Sequence, residues 1–518
     1  MLAICGRFLQ TVGVQGRSDP NAELLDAAAL CRHLVADDSV HAFLADHRSE
    51  LFPDAMFADL FPSGRGRPSV PAEVIATTMV LQALEGLSDR QALDTLRQNI
   101  AWKVAAGLAI DAEGIHASVL TYWRTRLRNS ERPERIFEAV RSVVAETGVL
   151  RGRTKRALDS TVLDDAVATQ DTVTQLIAAI RRVLRLIPEL DSVGLVRDYS
   201  SPGKPDIAWD DAAAKAELIT ELVNDGRSLI EALEGRDLSG DQADAVGLLA
   251  LVAGQDVEAG ETPGSWRIAQ RTAPGRVISM VDPESRHVHK TVRDYRDGYK
   301  GHVAVEPETG LITDVALTPG NTPDAEAALD LLDGEDEPVE VLGDSAYGSG
   351  RLRAQLEARG HRATIKPIPL RPAVPGGFTR DDFVVDVENS TVTCPAGHTV
   401  PLARKLSATF GVRCHGCPLR SQCTTAAGGR VMHLSAYDPE LRAARQAASD
   451  PDHQSRYRRW RPMVERTLAW VVARGNRRLR YRGVVRNQQW LATRAAAINL
   501  RRLIALGLSR AETGWAIA

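Results

Sequence analysis

Apolar residues recur at three-to-four spacing in VPAEVIATTMVLQALEGL, in SDRQALDTLRQNIAWKVAAGL and in ASVLTYWRTRLRNS, which predicts a helical block over residues 69–150. Ser88 and Gln91 have the spacing of a capping box at the start of the second helix. Arg124, Arg126 and Arg128 make the end of the third basic. Three short helices with a basic last one permit a helix-turn-helix-like DNA-binding reading, a pattern that an ordinary helical bundle shares. Residues 1–68 form an N-terminal arm ending in PSGRGRPS, whose Gly, Pro and Arg suit a basic hinge. Helical periodicity returns in TVTQLIAAIRRVLRLIPEL, AAAKAELITELVNDGRSLIEALEG and GDQADAVGLLALVAG, within residues 166–275. That stretch carries no evident chemistry and reads as an insertion, because strand patterns flank it.

The first flanking strand is KRALDSTVL, at 155–163. Beyond the insertion, YKGHVAVE and LITDVALT are joined by the turn PETG and predict a hairpin, with Tyr299, Gly301, Val303 and Val305 on one face. A helix DAEAALDLLDG, a strand PVEVLGD, a loop SAYGSG, a helix GRLRAQLEARG and a strand HRATIKP follow. The order strand, strand, strand, helix, strand, helix, strand is that of an α/β sheet opening with an antiparallel meander, over residues 151–165 and 276–370. Residues 371–430 are rich in cysteine, glycine and proline, and 431–518 return to helical patterning.

A chain of 518 residues, 44% hydrophobic and 25% charged, has room for about three domains and no sign of general disorder. Its net charge of -3 argues against coating nucleic acid with the whole surface, but charge is segregated, acidic over 205–262 and strongly basic over 453–511. Between Asp452 and Glu512 there are fifteen arginines, no lysine and a single acid, Glu465. MLAICGRFLQ is too short and too interrupted for a secretory signal, and AVGLLALVAG is too short to span a bilayer, so a cytoplasmic protein without a membrane partner is expected.

Asp344 ends a strand at VLGD and Asp159 lies in ALDSTVL, where open α/β sheets place ligands; either alone reads equally as a cap or turn residue. Glu465 reads as an i,i+4 partner of Arg461, or as a metal ligand among arginines that hold a polyanion. Pro462 suits the first turn of its helix, Val464, Leu468 and Val471 supply a buried stripe, and Gly475-Asn476 would end it. Three carboxylates together match what attack on a phosphodiester needs, hard oxygen ligands for divalent cations. Of the six cysteines, Cys394, Cys414, Cys417 and Cys423 cluster with a Cys-x2-Cys core that can clamp tetrahedral Zn2+; His398 or His415 could replace one thiolate, and reduced structural cysteines are the alternative.

ALDSTVLDDAV, DGYKGHVAVEPETGLITDVALTPGN, VLGDSAYGS and RPMVERTLAW together resemble the DDE transposases of bacterial insertion sequences, over roughly residues 55–505. The resemblance implies a ribonuclease H-like mixed sheet with a helical N-terminal domain, a helical insertion and a small cysteine-rich, zinc-binding insertion. It implies metal-dependent DNA cleavage and strand transfer at terminal inverted repeats, on double-stranded DNA, by a homodimer in the synaptic complex, associated with the bacterial nucleoid. The acidic triad maps onto Asp159, Asp344 and Glu465, holding two Mg2+ or Mn2+ ions, with Asp164 and Asp165 as rivals for the first place. Arg461 and Glu465 keep the interval of the family's Tyr, Arg, Glu, Lys signature; Tyr457 falls one residue early, and Arg474 stands where lysine is absent. Arg461, Arg466, Arg474, Arg477, Arg478, Arg480 and Lys300 are the expected DNA contacts, and His302 shares the strand of Lys300. A nuclease without strand transfer and a non-catalytic DNA-binding protein are the rival readings.

Overall fold

A computed structural model describes residues 14–18, 25–63, 65–271, 273–289, 295–512 and 514–517; the segment MLAICGRFLQ lies outside them. Its centre is a six-stranded mixed sheet in the order β2-β3-β1-β5-β6, with β4 paired to β3. The strands are β1 (Lys155–Asp164), β2 (Arg286–His289), β3 (Tyr295–Glu306), β4 (Leu311–Pro319), β5 (Glu340–Gly343) and β6 (Arg362–Ile365). β1, β3 and β4 form the antiparallel meander that their alternation predicts, while β5 and β6 run parallel to β1. The register of the hairpin slips at Ala304/Val305. There Asn499 accepts from the backbone N–H of Ile312 and donates to its carbonyl, at 2.8 Å each, so the irregularity is closed by a side chain from outside the sheet.

Alternation along β1 divides the core. Ala157 and Leu163 face one apolar cluster with Tyr299, Val303 and Val305, while Leu158 faces the other with Leu331, Leu332, Leu352 and Leu356. Gly301 lies on the first face as expected, and a Cβ there would meet Leu163 Cδ1 at 2.9 Å. The predicted helix DAEAALDLLDG is instead two 3-10 turns, Asp324–Glu326 and Asp330–Leu332. Ala328, Leu331 and Leu332 are pressed onto the sheet and the Asp324 carboxylate is engaged by Lys300 and Ser160, so tertiary contacts override the local preference.

The helices α1 (Ala72–Glu85), α2 (Gly350–Ala358), α3 (Pro451–Trp460), α4 (Pro462–Val472) and α5 (Val484–Ala505) frame the sheet. The capping box at Ser88 and Gln91 forms. Most of the N-terminal helical core is shared: Leu44, Ile75, Trp102 and Trp123 join one cluster with Val303 of the sheet and Val464 and Leu491 of the C-terminal helices, while Ala27, Cys31, Val35, Ala42 and Val104 form a small cluster apart. Arg124 is committed to Asp89 at 2.8 Å and to Gln82 at 2.6 Å, and Arg126 stacks on Phe61 and Tyr122, so these two basic residues serve packing. The junction with the C-terminal helices is made by Arg494. Buried on α5, it donates to Leu84 O at 2.9 Å and to Ala83 O at the end of α1, and to Trp470 O at 2.6 Å and Val471 O at 3.2 Å at the end of α4. One guanidinium thus satisfies the orphan carbonyls of two helix C-termini.

Three helices, Thr172–Leu186, Ala212–Ala232 and Gly240–Gln255, enclose a separate apolar cluster that includes Leu176, Leu222 and Leu249. Two small sheets occupy residues 384–433 and pack around Phe383, Val392, Phe410 and Met432.

Candidate active site

β1 and β5 pair in parallel through Lys155 with Glu340, Arg156 with Val341 and Ala157 with Leu342. Asp159 and Asp344 each lie two residues beyond the last of these pairs. Neighbouring strands are about 4.8 Å apart, and steps of two keep side chains on one face, so the register brings the two aspartates together. β5 stops at Gly343, and Asp344 caps the following 3-10 turn by accepting from Ala346 N–H at 2.9 Å. The Asp159 Oδ1 accepts from Ser160 N–H at 2.8 Å, and Oδ2 pairs with Arg461 at 2.8 Å. Burial pushes the Asp159 carboxyl above its usual range; Arg461 opposes this and Asp344 adds to it.

The third acid arrives on a helix. Pro462 opens α4, and Val464, Leu468 and Val471 are buried as the stripe predicts. α4 ends at Val472, after which Arg474 at φ 59° and Gly475 at φ 77° turn the chain away. Glu465 projects from the first turn, 66% exposed, with Oε1 3.9 Å from Arg461 Nη1. The i,i+4 pair therefore exists, but it is long, and the same arginine makes its closer contact with Asp159. Asp159, Asp344 and Glu465 line one cleft of about 890 Å³, together with Lys300, Asp324, Arg461 and Arg477. Among the described residues no group of three or more His, Cys, Asp or Glu side chains is gathered closely enough to hold a metal ion. In this cleft Arg461 lies between Asp159 and Glu465.

Residues 393–504 match the family of the transposase DDE domain, and residues 37–126 match the transposase domain (DUF772). The two matches support a DDE transposase of an insertion sequence. The first match spans Glu465 and all four clustered cysteines; the second covers most of the N-terminal helices. No curated protein and no solved structure matches the chain.

In the transposase, Lys300 reaches the cleft, donating to Asp324 at 2.7 Å and to Thr322 O at 2.8 Å. His302, two residues on, is a sheet-face residue, fully buried against Thr318 and held well below its ordinary pKa by burial. Asp164 and Asp165 turn elsewhere, to Arg296 at 3.0 Å and to Ser285 respectively, and neither lines the cleft. Asp324 is the acid that the sequence reading missed. It accepts from Ser160 Oγ at 2.9 Å and from Lys300, and its only signal was a position five residues after the strand that pairs with YKGH. Tyr457 does stand beside the site despite its off-register interval. Burial raises its phenol pKa, Arg461 opposes, and Asp344 and Glu465 raise it further.

The expected DNA-contacting arginines divide. Arg461 is 5% exposed and paired inside the cleft, so it is not an open phosphate contact. Arg477 is fastened to β1, donating to Val162 O at 3.0 Å, next to an isolated parallel bridge between Asp164 and Arg478. Arg480 donates to Gly86 O at the end of α1. Arg466, Arg474 and Arg478 are exposed and make no side-chain hydrogen bond or ion pair among the described residues.

Cys394, Cys414, Cys417 and Cys423 are free thiols that line one small cavity with His398, whereas His415 does not line it. The backbone N–H of Arg430 donates to Cys414 Sγ at 3.4 Å. Burial raises the Cys423 pKa; Arg430 opposes, and the other three thiols add to the rise, which places the four within electrostatic reach of one another. They too fall short of a gathered metal set.

Proposed function

We propose that the transposase binds the terminal inverted repeats of its element, hydrolyses phosphodiester bonds at the ends and joins the freed 3'-hydroxyls to target DNA. The observation that carries this reading is the meeting of Asp159, within β1, and Asp344, just beyond the end of the parallel β5, on a cleft that Glu465 also lines. A mixed sheet of this order is consistent with a ribonuclease H-like fold. The basic residues on the cleft wall and the exposed Arg466, Arg474 and Arg478 supply charge for a DNA backbone.

The donor set suits Mg2+ or Mn2+, since all three side chains offer hard oxygens and the buried Asp159 favours a nearby cation. Asp159, Asp344 and Glu465 would hold the ions, whose chemistry when bound is to polarise the phosphate and ready the attacking oxygen. The residues of the chain would orient the strand: Lys300 and Arg477 line the cleft wall and add positive charge there, although both already donate to groups of the protein. The four thiols would take a structural Zn2+, supported by their shared cavity and by the N–H donated to Cys414. Synapsis of two ends makes a homodimer the working assembly on double-stranded DNA. Among the described residues no helix is long and apolar enough to cross a membrane; nucleoid association follows from DNA as the substrate.

End-labelled repeat DNA incubated with Mg2+ tests the reading. Asp159→Asn, Asp344→Asn and Glu465→Gln should each abolish cleavage and joining while repeat binding persists. Substantial cleavage by the Glu465→Gln protein would return Glu465 to its role as an ion-pair partner, and cleavage without joined products would make the enzyme a nuclease.

A further inference from the structure

Both oxygens of Asp159 are committed in this structure, Oδ1 to the backbone of Ser160 and Oδ2 to Arg461. A divalent ion takes carboxylate oxygens at about 2.1 Å and would stand against the guanidinium with like charge. The two cations therefore compete for one oxygen. Arg461 is equipped to give way. Its Nε and Nη1 are buried without a hydrogen-bond partner among the described residues, so the group has donors left over, and the guanidinium lines the cleft. Its backbone is held at the junction of α3 and α4, at φ -61° and ψ -36° and followed by Pro462, so the exchange is a side-chain rotation.

We infer that Arg461 is an internal counter-cation that holds Asp159 until a divalent ion displaces it, a positioning residue that sets the metal affinity of the cleft. This rests on the assignment of Asp159 as a metal ligand. Displacement turns the buried donors of Arg461 toward a phosphate oxygen, coupling metal entry to the DNA strand.

Calorimetric titration of the full-length protein with Ca2+, without DNA, reads the competition apart from catalysis. Arg461→Gln should bind Ca2+ roughly tenfold more tightly than the unaltered protein. Arg461→Lys, which keeps the charge but loses the planar fork, should fall between the two. Arg458→Gln, an exposed change of equal charge one turn earlier on α3, should leave the affinity within about twofold. Unchanged or weaker binding by Arg461→Gln overturns the inference, as does an equal gain from Arg458→Gln, which would reduce the effect to bulk charge. Should Arg461→Gln fail to fold by thermal melting, Arg461→Lys decides, a gain supporting and no gain overturning. Asp159→Asn separates the two levels of argument: if it binds Ca2+ as well as the unaltered protein, the metal-site assignment itself fails; if it loses binding while Arg461→Gln gains nothing, only the counter-cation idea does.

Discussion

Asp159 on β1 and Asp344, the residue that follows the end of β5, each lie two residues past the Ala157–Leu342 pair of these parallel strands. Burial and the neighbouring Asp344 both disfavour charge on Asp159, and Arg461 is the cation beside it. Burial holds the Asp159 carboxyl above the ordinary aspartate value of 3.8, with Arg461 opposing. A raised pKa means that the folded state binds the proton more tightly than the unfolded chain does. The associated stability is present below 3.8 and lost as pH rises through the raised value. The proton also competes with a divalent ion for the same oxygens. Ca2+ affinity should therefore decline, as pH is lowered, at a pH above that of an ordinary aspartate, and titrations from neutrality downward will show where. An affinity that is flat to pH 4 or so would mean that Asp159 does not ligate the ion.

Arg494 ties the N-terminal helices to the helix of Glu465, and burial brings its pKa down to about 10. Arg494→Met keeps the packing volume but removes the guanidinium from four carbonyls at two helix ends, of which Trp470 O keeps the Ala473 N–H. A loss of about 2–4 kcal/mol in urea denaturation is expected. A loss below about 1 kcal/mol would show that those carbonyls find water or other donors.

Of the expected DNA contacts, Arg466, Arg474 and Arg478 are exposed and make no side-chain hydrogen bond or ion pair among the described residues, whereas Arg477 and Arg480 are fastened to β1 and α1. Alanine at all three exposed positions should weaken binding to every DNA sequence alike and lower the slope of log K against log salt by up to about 2.7. Stability should hardly change. An unaltered slope would place the DNA path elsewhere.

The cysteine cavity should take one zinc per chain, because four soft ligands line a region whose own apolar core is small. Metal analysis of protein purified without chelator, compared with Cys414→Ser and Cys417→Ser, checks this. Stoichiometry well below one, with folding intact in the variants, would leave the thiols as reduced packing residues.

The meander was legible in the alternation of KRALDSTVL, YKGHVAVE and LITDVALT, and the stripe of Val464, Leu468 and Val471 placed Glu465 on a helix that packs on the sheet. Such features depend on a short period and on neighbours in the chain, which a sequence states directly. Other features depend on which surfaces meet. The two 3-10 turns over 324–332, the merging of N-terminal, sheet and C-terminal apolar residues into one core, and the commitment of Arg124 and Arg126 to packing were settled by long-range contacts. Arg461 shows the division most clearly. Its interval from Glu465 was plain in the sequence, but its closer partner is Asp159, far away in the chain, because β1 and α4 pack together and leave one buried guanidinium beside one half-buried carboxylate.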